Sequence, residues 1–132
     1  MIGVDTNVLL RLFIVDDPRQ NALAARFFGE RSEDDPAYIS VVVLAELMWV
    51  LEKKFKFART DSLRVVGGLL DALDVMVEQR ELVEWAFAHA THSKIDFSDV
   101  LIAEANRQAG AAHTATFDRE AARRVPGMEL LK

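Results

Sequence analysis

Four acids stand along the chain where they can do chemistry: Asp5, Glu46, Asp99 and Asp118. Asp5 ends the apolar run Ile2-Gly3-Val4, which reads as a buried strand, and precedes Val8 to Phe13, a helical turn or two. Asp118 likewise follows Ala115-Thr116-Phe117 at a second strand exit. Ligands of open α/β sheets collect outside the carboxyl ends of the strands, so both acids fall where a site would form. Both are equally suited to cap the helix that follows. Asp99 lies three residues after Asp96, a capping-box spacing that suits the helix dipole, so local structure accounts for this pair as well. Glu46 is different. It interrupts Val41 to Leu51, which is otherwise apolar all round a helix, and such a helix is buried. A carboxylate there needs an arginine, a metal ion or an opening to water. If Asp5, Asp118 and Glu46 gather at one sheet edge, they cannot all stay ionised unless a cation joins them. Oxygen-only donors favour Mg²⁺ or Mn²⁺ over zinc.

The elements that must position these acids alternate. After the first strand and short helix, Asp16-Asp17-Pro18 starts a helix with proline near its first position, ending near Gly29. Tyr38-Ile39 is a short strand, and Ser40 caps a long helix reaching about Lys54. Ser62 to Leu73 is helical despite Gly67-Gly68, which either weaken it or permit close packing. Asp74 to Val77 is a brief strand, and Glu81 to Ala90 an amphipathic helix. Asp96 or Ser98 opens a helix ending at Gly110. Ala111 to Ala115 is a strand, Asp118 to Arg124 a short helix, and Met128 to Leu131 a last strand. Strands alternating with helices predict an α/β/α sandwich around a central parallel sheet of four or five strands, with residues 1–132 forming a single domain.

Composition narrows the function. The chain has 132 residues, 51% of them hydrophobic, enough for a real core. It lacks cysteine, which excludes disulfides and thiolate metal sites and fits a cytoplasmic protein. No secretory signal opens it, and Ile39 to Leu51 is too short for a membrane span. A net charge of −5 argues against a broad nucleic-acid footprint but leaves room for a local one. Lys53, Lys54, Lys56 and Arg59, interleaved with Phe55 and Phe57, suit RNA binding or a solvated helix end. Arg119, Arg123 and Arg124 form a second basic group. His89 and His92 lack a third ligand for zinc. His113 reads as a strand residue, and Trp49, Trp85 and Phe87 as core or dimer interface.

Asp5-Thr6-Asn7, Ala45-Glu46-Leu47, Asp96 to Ala103 and Thr116-Phe117-Asp118, in this order and spacing, resemble the PIN-domain ribonucleases. The length and the nearly terminal first motif look most like the VapC toxins of toxin–antitoxin pairs. The resemblance spans essentially the whole chain. It implies a parallel sheet between helices and an acidic pocket for Mg²⁺ or Mn²⁺ made by Asp5, Glu46, Asp99 and Asp118. Asp96 is then a secondary acid, and Thr6, Asn7, Ser40 and Thr116 are polar support. It also implies hydrolysis of RNA, such as a transfer RNA arm, to a 5′-phosphate and a 3′-hydroxyl. A second copy of the chain and a VapB-like antitoxin are the implied protein partners.

Two other acid-based phosphoryl enzymes fit less well. A phosphoacceptor receiver domain wants paired acids after its first strand and a lysine after its last. A haloacid-dehalogenase-type phosphatase wants an acid where Asn7 stands. The stronger alternative is a catalytically silent fold of the same type whose groove only binds RNA or a protein.

Overall fold

In the computed structural model, which describes all of residues 1–132, strands hand over to helices at capping side chains. The chain divides into two compact units, Met1–Arg80 and Glu81–Lys132. The first holds β1 (Ile2–Gly3), α1 (Thr6–Leu10), α2 (Pro18–Gly29), β2 (Ala37–Ile39), α3 (Val41–Lys53), α4 (Arg59–Asp71) and β3 (Val75–Val77). The second follows with α5 (Arg80–Ser93), α6 (Phe97–Gln108), β4 (Thr114–Thr116), α7 (Arg119–Arg124) and β5 (Met128–Leu130).

In the first unit the strands form a parallel sheet in the order β1-β2-β3, with Ile2 beside Ala37 and Tyr38 beside Met76. β2 is the central strand, and its Ala37 and Ile39 are fully buried. Helix α1 packs on α3, α3 on α4, and α4 on β3, which encloses Leu9, Leu44, Leu47, Met48 and Leu51. Ser62, also fully buried, lies 3.0 Å from both the Glu52 carboxylate and the Arg59 carbonyl, acceptors that its hydroxyl proton can share. That back-bond explains why α4 starts one turn earlier than the sequence predicts, with Ser62 inside the helix and not at its start.

In the second unit β4 and β5 pair in parallel, Thr114 beside Met128, and α7 packs on both strands. Val83, Ala86, Ala90, Phe97 and Val100 are buried. Helix α5 runs a turn beyond the predicted Ala90. Strand β4 begins at Thr114, later than the predicted Ala111, because Gly110 takes a positive φ of 100° and turns the chain.

The class is α/β with parallel strands, as expected, but the five strands are hydrogen-bonded as one three-stranded and one two-stranded ladder. β1 also departs from its predicted burial. It pairs only with β2, and both Ile2 and Gly3 are exposed, leaving Val4 as the buried residue of that run. No helix is long and apolar enough to cross a membrane.

Gly68 sits exposed within α4, and a Cβ placed there meets nothing within 4 Å. Close packing therefore does not require it. Gly68→Ala should stabilise the protein by roughly 0.5–1 kcal/mol, visible as a melting temperature a few degrees higher.

Candidate functional site

Because β1, β2 and β3 are parallel, the chain leaves all of them at the same edge of the sheet. Asp5 follows β1, Ser40 follows β2 and Glu78 follows β3. Asp5 is exposed, and its Oδ1 accepts the Thr6 backbone N–H at 2.8 Å while it caps α1. Thr6 is buried beneath it, and Asn7 is exposed. The Ser40 hydroxyl accepts from the Val43 N–H at 3.2 Å and caps α3.

Glu78 is a residue that the sequence reading missed. Its carboxylate accepts the Val41 N–H at 2.8 Å, at the positive end of the α3 dipole. It also accepts a hydrogen bond from Tyr38. Burial, and then this carboxylate, push the Tyr38 phenol above its usual range. The available signal was positional, since Glu78 directly follows the brief strand ending at Val77, as Asp5 follows the first.

Glu46 does not lie in a buried helix. It is exposed, and so are Val42 at 76% and Trp49 at 62%, four residues before it and three after. The apolar pattern around α3 therefore includes a solvent stripe, and water solvates Glu46 with no arginine needed. Trp49 accordingly is not core. Beside Asp5, an apolar cavity of about 580 Å³ is lined by Val4, Val8, Leu23 and Phe27, with Arg11 at its wall. Arg11 is held by Gln20 at 2.9 Å and by Asp16 at 2.9 Å.

The second unit carries the other acids. Asp96 caps α6 by accepting the Asp99 N–H at 3.0 Å, and Asp118 caps α7 by accepting the Ala121 N–H at 3.0 Å. Thr116 fixes the approach to Asp118, its hydroxyl oxygen accepting the Asp118 N–H at 3.0 Å. Asp99 is half-buried, and its side chain makes no hydrogen bond. Burial first, then the charges of Asp96 and Asp118, push its carboxyl up to about 6. Asp96 and Asp118 thus both act on Asp99, and each capping carboxylate keeps an oxygen that no protein donor occupies.

The predicted cations and imidazoles are less organised. Lys53, Lys54, Lys56 and Arg59 are all exposed, and Lys54 lies over the Phe55 ring at 5.5 Å, while Phe55 and Phe57 are half-buried. Arg123 and Arg124 are held by Glu120. His89 stacks on Trp85 with ring centres 3.8 Å apart, and His113 pairs with Glu129 at 2.7 Å.

The donor set suits a hard divalent ion, being carboxylates with unoccupied oxygens, one of them strained by like charges. No three Asp, Glu or His side chains are already drawn around one point. Mg²⁺ needs no such cage, since it keeps several waters and takes one or two carboxylates. The folded protein holds the Asp99 proton up to about pH 6, whereas an unfolded aspartate releases it near its ordinary value of 3.8. Between those values the native state binds more protons, so stability falls as pH rises through the window. In metal-free protein, melting temperature should drop across it, and Asp99→Asn should flatten the drop and melt higher at neutral pH.

No curated protein matches the sequence. Among solved structures, VapC20 of Mycobacterium tuberculosis, described as a sarcin–ricin-loop-cleaving toxin, is similar over 93% of this chain and 94% of that one. The two share 19% identity, with a TM-score of 0.45. A family model described as the PIN domain matches residues 2–127, across both units. The chain belongs to the PIN-domain family.

Proposed function

We propose that this chain is a metal-dependent endoribonuclease, the VapC-like toxin of a toxin–antitoxin pair, acting as a single domain over residues 1–132. The observation that carries the reading is Asp99, half-buried and facing the charges of Asp96 and Asp118 within a PIN-family chain. Such an arrangement is costly for folding alone and useful for holding a cation.

Asp5 and Asp99 are the residues assigned to hold Mg²⁺ or Mn²⁺, with Glu46 and Asp118 acting through water. When bound, the ion supplies Lewis acidity toward a phosphate oxygen and a water molecule. Glu46, solvated and unpaired, is the assigned acceptor for the proton of the attacking water. Thr116 and the α7 cap hold Asp118 in one orientation, and the Thr6 N–H does the same for Asp5. Asn7 and Ser40 are assigned as polar support, and Asp96 as a secondary acid whose charge adds to the burial of Asp99. The exposed Lys53, Lys54, Lys56 and Arg59, at the far end of α3 from Ser40, are assigned to hold an RNA backbone away from the acids.

The apolar cavity beside Asp5 supports an antitoxin segment as the natural inhibitor, and the Val42–Trp49 stripe supports pairing with a second copy. A cytoplasmic location goes with an RNA substrate. The cavity is also what favours the second reading, a silent module that binds a protein there without turnover.

Purified protein incubated with total small RNA separates the two. Discrete fragments should appear with Mg²⁺ or Mn²⁺ and vanish with EDTA. Asp5→Asn and Asp99→Asn should each lower the rate by about a hundredfold or more. Cleavage that survives in both variants would overturn the assignment, and protein free of antitoxin that never cleaves would favour the silent module.

A further inference from the structure

Phe117 is 80% exposed, more than any other aromatic residue whose exposure stands out, and it lies between two anchored neighbours. The Thr116 hydroxyl oxygen accepts the Asp118 N–H, the Thr116 carbonyl accepts the Leu131 N–H at 2.8 Å, and Asp118 is pinned to Ala121. The backbone on both sides is therefore held while the ring stands in water. On the other side of Asp118, Arg119 is exposed and takes part in no ion pair, although Arg123 and Arg124 beside it are both paired with Glu120.

The neighbours of the ring decide what fits it. Along the chain Thr116, Asp118 and Arg119 are polar or charged, and across the ladder Leu131, 54% exposed, continues the apolar face, a strip narrow against what a protein partner covers. A flat apolar face next to an unpaired guanidinium, beside acids assigned to hold a phosphate-binding cation, matches an unstacked base and its adjoining phosphate. Bases in a duplex are stacked inward and cannot reach such a ring, whereas single strands and loops can.

We propose that Phe117, with Arg119, is a stacking platform for one nucleobase of single-stranded RNA beside the scissile phosphate. The platform deepens the nuclease reading and rests on it for its position at the cleavage site. It sets the register of the strand, with Arg119 contacting the neighbouring phosphate and Phe117 tolerating any base.

The test uses the full chain in EDTA, so that the strand stays intact, with a labelled oligoadenylate as the probe and fluorescence anisotropy as the readout. Phe117→Ala should weaken binding about tenfold. Phe117→Trp should keep binding within about twofold, and its added indole emission should be quenched by the single strand but not by a duplex of the same sequence. Arg119→Gln should weaken binding and flatten its dependence on salt. Equal binding by wild type and Phe117→Ala, unquenched indole at saturation, or no binding by the wild type each overturns the proposal. Cleavage of small RNA in Mg²⁺ is read separately. Turnover with an unchanged KM in Phe117→Ala removes the platform and leaves the nuclease. Loss of binding in that variant, with no turnover by the wild type, keeps the platform and removes the nuclease.

Discussion

The first backbone N–H groups of a helix have no partner within it, and much of this chain is arranged around supplying one. Asp5, Asp17, Ser40, Asp96 and Asp118 each cap a helix with a side-chain oxygen. Glu78 serves α3 a second time from a distant point in the sequence. Each side-chain cap contributes about 1 kcal/mol and fixes where its helix begins. For the carboxylates it does more. One oxygen is engaged, the side chain is held in a single orientation, and the other oxygen has no protein donor. Capping therefore does not by itself exclude the ligation proposed above.

Charge is the second constraint. In Glu81–Lys132, Asp96 and Asp118 both act on Asp99, the one of the three with least access to water, and Asp99 carries the cost. Elsewhere in that unit the chain avoids such a cost. Buried Glu104 is gripped by Arg107 at 2.6 and 2.9 Å, and its carboxyl is held below the usual range. One buried acid is neutralised by its own helix and another is left facing like charges. That contrast is what the metal-site proposal rests on.

The apolar residues left outside are also organised. Val42 and Trp49 share one face of α3 with Glu46, and Val4, Val8, Leu23 and Phe27 line the cavity beside Asp5. Phe117 stands between polar and charged chain neighbours, with exposed Leu131 across the ladder. An apolar stripe, an apolar cavity and a small exposed strip around one ring differ in what surrounds them, which is why the proposals above give them different occupants.

The sequence by itself determined what depends on neighbours a few residues away. The caps at Asp5, Ser40, Asp96 and Asp118 were legible because an N-cap bonds to a backbone N–H within three residues. The alternation of strands and helices, and hence the parallel α/β class, was legible for the same reason. The tertiary structure alone decided burial and charge coupling. Glu46 reads as buried from the apolar run around it and is exposed, because Val42 and Trp49 on the same face of α3 are exposed with it. Asp99 reads as an ordinary cap partner and is half-buried, next to Asp118, which is nineteen positions away. Glu78 bonds to Val41 across thirty-seven positions; its place after a strand was legible, but its partner was not. A cap is a contact along the chain. Solvation and electrostatic potential are sums over every group that folding brings near, and those groups come from distant parts of the sequence.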